Sequence, residues 1–202
     1  MPLGDPYITL ASLKNYLGIT DDVDNGRLED ALASATQEIE DHTGRQFNDA
    51  GVASARIYER WGCDLVYVDD FHTTDGLIVA TDENDDGTFE TVWPASDYQL
   101  EPLNGIHAGR PGWPYNVIRT VNDHDFPRGR RATIRVTARW GWSAVPKPVQ
   151  QACRILAAET RKLADAPFGV AGYGEFGPMR VRDNPLLVKK LAPYVREPAM
   201  VA

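Results

Sequence analysis

The period of the apolar residues changes twice along the chain, and that change most constrains what it can fold into. In "LEDALASATQEIE" Leu28, Ala31, Leu32, Ala35 and Ile39 recur at helical spacing, in a run that begins near Asp24 or Asn25 and stops at Gly44. A shorter helix precedes it, capped by Thr9, carrying Leu10, Leu13 and Leu17 on one face and ended by Gly18. From about Ser54 to Arg139 the period falls to two in "ARIYER", "LVYVDD", "GLIVAT", "TFETVW", "YQLEP", "YNVIRT" and "ATIRVTARW". Between the fifth and sixth of these, the glycines and prolines of "LNGIHAGRPGWP" exclude a regular element and predict an ordered loop. Helical spacing returns after Pro146 and Pro148 with Val149, Cys153, Leu156, Thr160 and Leu163, and Pro167 ends it. A last short helix holds Leu186, Leu187, Lys190 and Leu191.

The expected class is therefore α+β: a small helical bundle framework interrupted by an antiparallel β insertion, with an extended C-terminal arm. The expected divisions are 1–53 for the N-terminal helical part, 54–140 for the β insertion, 141–166 for the returning core helix, and 167–202 for the Gly-rich arm and short C-terminal helix. The strands read as a small antiparallel sheet or partial barrel. Because they do not alternate with long helices, a doubly wound fold is excluded.

With 202 residues, 43% of them hydrophobic, the chain can bury a core as one domain or as one domain carrying an insertion. Its apolar runs span only a few residues, so no membrane span or membrane partner is expected. "MPLGDPYITL" lacks a signal peptide's basic start and apolar stretch, so cytoplasmic synthesis is the expectation. Cys63 and Cys153 give neither a disulfide framework nor a thiolate metal site and read as free thiols. The net charge of -8 is unevenly placed: residues 1–100 carry 5 basic and 21 acidic side chains, residues 101–202 carry 16 and 8. Two readings stand, opposite poles folded together within one chain or copies meeting head to side in a ring. Such acidity argues against sequence-specific DNA binding, while suiting a surface that DNA slides past.

Several motifs look chemical and lose that character in context. Gly172, Gly174 and Gly177 in "GVAGYGEFG" have the G-x-G-x-x-G spacing of a dinucleotide turn, but no strand enters it and no helix leaves it to receive a pyrophosphate. The readings left are a solvated loop or a pliable arm, and Tyr173 and Phe176 favour an arm that anchors on a neighbour. In "DENDDG", Asp82, Asn84, Asp86 and Gly87 match the start of a helix-flanked calcium loop. The twelfth position is Trp93 where a bidentate Glu belongs, and the flanks alternate like strands, so a polar hairpin tip is expected. His42, His72, His107 and His124 never fall four apart, and no Ser sits in G-x-S-x-G. His72 with Asp69 and Asp70 reads as an exposed acidic turn before it reads as a metal site. No catalytic residue, metal ligand or cofactor is nominated. Arg128, Arg130 and Arg131 crowd one turn, while Arg135 and Arg139 alternate with Thr133 and Thr137. A solvated sheet face, an acidic surface on another subunit and DNA phosphates all remain open as their partners. Trp140 and Trp142 in "RWGW" read as rings closing a seam between sheet and helices.

Taken in order, "TLASLKNYLGIT", "LEDALASATQEIEDHTGRQF", "VTARWGWSAVPKPVQQACRILAAE" and "FGVAGYGEFGPMRV" with "LLVKKLAPYV" resemble a head-to-tail adaptor of long-tailed double-stranded DNA bacteriophages, in the broad connector family below the portal. The resemblance implies a structural virion protein at the neck and no enzyme. Its homo-oligomeric ring, commonly of twelve subunits, would bind the portal protein above and a stopper or tail-completion protein below. Genomic double-stranded DNA would pass through without sequence-specific binding. It places Leu13, Leu17, Leu28, Leu32 and Ile39, with Leu156, in the helical core and Trp140, Trp142 and Pro146 at its seam. The interface candidates are Gly169, Gly172, Tyr173, Gly174, Phe176, Gly177, Arg180, Arg182, Lys189, Lys190 and Tyr194, and acidic residues of the N-terminal half are expected to face the channel. The alternatives are another neck or tail-completion protein and, more remotely, a soluble enzyme or a DNA-binding module using Arg128 to Arg139.

Overall fold

The computed structural model describes residues 3–165 and 184–196. The interface candidates Gly169, Gly172, Tyr173, Gly174, Phe176, Gly177, Arg180 and Arg182 lie outside those residues. The chain divides into two compact units, one of Leu3–Asn48 with Ala144–Pro198, the other of Asp49–Ser143. The first unit is helical and the second is built of strands, so the α+β class read from the sequence is the class observed.

In the helical unit, α1 (Leu10–Leu17) starts where the Thr9 hydroxyl accepts the Ser12 N–H at 3.2 Å and stops at Gly18, whose φ of 72° is left-handed. α2 (Asn25–Thr43) ends the same way at Gly44, φ 64°. It starts at Asn25, within the expected range, and Asp24 before it makes no side-chain cap bond. Asp24 Oδ2 instead accepts from Arg161 Nη2 of α3 (Lys147–Asp165) at 2.6 Å. An ion pair thus holds the head of α2 against α3 where a cap would have held it to itself. Leu28, Ala31, Leu32, Ala35, Thr36 and Ile39 are buried on α2, and Val149, Ala152, Cys153, Leu156 and Ala157 on α3. α2 packs along α3 and α1 touches both. Alanine on both sides lets the backbones approach, close enough for Thr36 Oγ1 to meet Cys153 Sγ at 3.8 Å. Leu13 is fully buried, whereas Leu17 is only half-buried.

α4 (Pro185–Leu191) begins with a doubly used cap, the Asn184 side-chain oxygen accepting from Leu186 N and Leu187 N. It buries Leu187 and Leu191 and packs on α3. A 3-10 turn, Ala192–Tyr194, follows. Arg45 lies just beyond α2 and donates through Nε to the Tyr194 carbonyl at 2.9 Å, while Arg196 N donates to Thr43 O at 2.7 Å.

The strand unit contains β1 (Ser54–Tyr58), β2 (Leu65–Phe71), β3 (Ile78–Thr81), β4 (Thr91–Val92), β5 (Tyr98–Glu101), β6 (Ile106–His107), β7 (Arg110–Pro111), β8 (Tyr115–Thr120) and β9 (Ile134–Ala138). They pair antiparallel as β1-β9-β3-β4, β2-β8-β5 and β6-β7. Instead of one small sheet or partial barrel there are two sheets sharing a core. Val66, Val68, Phe71 and Ile118 come from one, and Val79, Ile134, Val136 and Ala138 from the other, with Phe126 and Trp140 completing it. The buried and half-exposed positions of β9 alternate, so Arg135 and Thr137 face away from that core.

Two local readings change. "LNGIHAGRPGWP", expected to hold no regular element, contains a 3-10 turn at Leu103–Gly105 and the β6–β7 ribbon. Ala108 and Gly109 both take positive φ, 47° and 75°, which is the backbone twist a tight hairpin turn needs. Asp69 and Asp70, read as an exposed acidic turn, belong to strand β2, and Asp70 is 4% exposed. A register shift between Tyr67 and Phe71 accompanies them.

Candidate assembly surfaces

The two tryptophans of "RWGW" sit in the strand unit. Trp140 is 1% exposed, donates Nε1–H to Ser54 O at 2.9 Å, meets Phe71 edge-on at 6.1 Å, and carries the Arg56 guanidinium 4.7 Å over its ring. Trp142 donates Nε1–H to the buried Asp70 carboxylate at 2.8 Å and meets Trp113 edge-on. A carboxylate with so little access to water needs such donors, which is why indole and not phenyl occupies this position. Pro146 is half-buried and its carbonyl accepts from Gln150 N at 3.0 Å, opening α3.

Of the interface candidates among the described residues, Lys189 is exposed and Lys190 donates to Gln151 Oε1 at 2.9 Å. Tyr194 is 8% exposed, its ring edge-on to Phe47. Phe47 in turn meets Tyr7, whose hydroxyl donates to Glu40 Oε1 at 2.8 Å and accepts from Phe47 N. Within the chain Tyr194 is a packing residue. Aromatic rings with buried neighbours contribute most where they are already dry.

The possible metal set of His72, Asp69 and Asp70 does not converge. Asp69 takes the Arg56 guanidinium and the Tyr58 hydroxyl, Asp70 takes Trp142, and His72 faces Gly141 O and Asp49. Burial pushes the Tyr58 phenol above its ordinary range, and the Asp69 charge adds to it. "DENDDG" is the β3–β4 hairpin tip. Asp82, Asp86 and Glu90 bring carboxylate oxygens within 4.8 Å of one another, the grouping among the described residues that could hold a cation. The Asp82 oxygens already accept from Asn84 N, Asp86 N and Gly87 N, and Arg131 donates to the Asp86 carbonyl. Those bonds shape the loop.

The uneven charge is partly folded into the chain. Acidic side chains of the first half meet basic ones of the second at Asp24–Arg161, Asp49–Arg139 and Asp64–Arg119. Arg139 donates Nε–H to Asp49 Oδ1 at 2.7 Å and Nη2–H to Oδ2. This two-pronged contact holds the Asp49 carboxyl below its usual range, partial burial opposing it. Glu159 goes the other way, raised by burial and then by Glu38 nearby.

Among the described residues a basic surface is left over. A cavity of about 700 Å³ in the strand unit is lined by Arg60, Cys63, Arg128, Arg130, Arg131 and Thr133, among others. The sequence showed the crowd at Arg128 to Arg131. It gave no sign of Arg60 and Cys63, which arrive because Phe126 N donates to Cys63 O and Arg60 donates to Phe126 O.

Comparison with known proteins follows the same lines. The sequence model of the "Phage gp6-like head-tail connector protein" family matches residues 7–71, from Tyr7 through α1, α2 and β1 to the end of β2. No curated protein is similar to the chain at a significant level. Among solved structures, a chain in "Neck of empty GTA particle computed with C6 symmetry" is 19% identical, with 97% of this chain and 93% of that one covered and a TM-score of 0.60. A chain in "Neck of native GTA particle computed with C12 symmetry" is 18% identical, with 100% and 99% covered and a TM-score of 0.52. The fold is thus that of neck chains over nearly its whole length, and the resemblance to head-tail connectors rests on a family pattern as well as on shape. That family is structural and not enzymatic.

Proposed function

We propose that the chain is a head-to-tail adaptor that forms a ring of twelve subunits between the portal and a stopper or tail-completion protein, through whose opening the DNA passes. The observation that carries this is the coincidence of two likenesses on one chain. The connector family's pattern falls on α1, α2 and the first two strands, and the whole fold follows neck chains whose structures were computed with sixfold and twelvefold symmetry.

The physics of the role agrees. A connector joins unlike rings through many repeated contacts, so each contact can be weak while the assembly is firm. It needs a rigid frame, supplied by the α2–α3 core and the two-sheet core, and charged surfaces that set register. A chain of net charge -8 also offers acidic surface to a channel, where repulsion keeps DNA mobile. The test is genetic. Particles produced without this chain should accumulate DNA-containing heads and free tails that do not join, and supplying the chain should restore joining. Normal joined particles in its absence would refute the reading.

A further inference from the structure

We propose that the arginine cavity of the strand unit is a docking site for the acidic surface that Asp21, Glu29 and Asp30 present on a second copy of this chain. The inference rests on the ring reading and specifies one contact within it.

The cavity is built in advance. The Asp85 carboxylate clamps the backbone N–H groups of Arg130 at 2.9 Å and Arg131 at 3.1 Å, and those bonds hold its carboxyl below the ordinary range. Between Arg128 and Arg130, a Cβ on Gly129 would fall 2.6 Å from Thr133 Cγ2 and 2.7 Å from Asp85 Oδ1, so the loop closes only around glycine. Thr133 Oγ1 donates to Pro127 O at 2.9 Å, fixing the other side. The nearby carboxylate is thereby bonded to backbone, and although its charge also attracts Arg130 and Arg131, the exposed Arg128 and Arg130 guanidiniums make no side-chain hydrogen bond or salt bridge among the described residues. Glu59 is the single carboxylate in the lining, against four guanidiniums. Several like charges held at one cavity repel each other, and an anion entering it relieves that repulsion.

The anion's identity follows from charge and geometry. Duplex DNA would bring its phosphates against a chain with 29 acidic and 21 basic residues, and the long-range field opposes that approach. Carboxylates suit guanidinium forks, and another copy supplies them at the high local concentration of a ring. Glu29 and Asp30 are exposed near the start of α2 with no partner among the described residues. Asp21 lies in the preceding turn beside Val23, which is 88% exposed, while Asp22 is already taken by Lys14 at 2.6 Å. A contact between two different surfaces of identical copies is head-to-tail, the arrangement that closes into a ring.

Cys63 in the cavity lining gives a direct test, because it is exposed whereas Cys153 is buried. In the full chain, Val23→Cys under a mild thiol oxidant should yield a ladder of disulfide-linked oligomers. It should form about tenfold faster than in a Val52→Cys control, whose site is also exposed at 73%. Cys63→Ser should abolish the ladder, and Arg128→Glu with Arg130→Glu should slow it to the control rate. Mixing that charge-reversed Val23→Cys chain with a Val23→Cys chain carrying Glu29→Lys and Asp30→Lys should restore it. Rings seen by electron microscopy without excess linking at position 23 would overturn this inference and leave the ring reading standing. Salt-dependent duplex DNA binding lost in the Arg128→Glu, Arg130→Glu chain would also overturn it. A chain that forms neither rings nor a ladder counts against both.

Discussion

Replacing Trp140 by Phe tests whether this ring is the centre of the strand unit. The indole N–H bond to Ser54 O, at 2.9 Å, is lost, which costs roughly 0.5–1.5 kcal/mol. The smaller ring leaves a void among Phe71, Tyr58 and the rest of the shared core, costing roughly another 1–2 kcal/mol because a site 1% exposed relaxes only in part. The Arg56 guanidinium, 4.7 Å over the ring, keeps an aromatic face of lower attraction, a change of about 0.5 kcal/mol. The sum, about 2–4 kcal/mol, is a large share of a domain's usual stability. Hydrogen exchange read by mass spectrometry resolves it locally. Amides of β1 and β9, the paired strands beside Trp140, should exchange roughly 30- to 700-fold faster in the variant. An acceleration below about threefold at those amides would refute the reasoning, since a fully buried indole at the core's centre cannot be truncated so cheaply.

Two further expectations concern single side chains. Cys63 is exposed and Cys153 is fully buried with its thiol pushed up by burial, so an aromatic disulfide reagent should titrate one thiol per native chain and two in denaturant. The second should react at least about a thousandfold more slowly, the factor expected where access needs opening of a stable core. Asp49, held below the ordinary carboxylate range by Arg139, contributes stability that is present above its unfolded value of about 4 and is lost as pH falls through its lower folded value. Asp49→Asn should therefore flatten the acid limb of a denaturation-versus-pH series below about pH 4, and an unchanged limb would count against the pair.

The helical half was readable because its signals are local. Thr9, Gly18 and Gly44 act on their own turns, and the burial of Leu28, Leu32 and Ile39 follows from spacing along a single helix. Strand positions were readable for the same reason, since alternation in "ATIRVTARW" belongs to one strand. The pairing of β9 with both β1 and β3 was not, because it joins residues far apart whose only common signal is apolar alternation. The same limit hid Arg60 and Cys63 from the arginine cavity. Asp70 misled because two adjacent acids look solvated until an indole N–H from position 142 is folded onto one of them. The burial of Tyr194 was equally hidden, because the Arg45 contact that draws this residue near the terminus into the helical unit spans most of the chain.

The most direct test of the account is a reconstruction of the intact particle with this chain located in it. The account predicts a closed ring of twelve copies immediately below the portal, each joined to the next, with the DNA path along its axis. Finding the chain in the capsid shell or the tail tip, or as isolated copies with no ring at the neck, would contradict it.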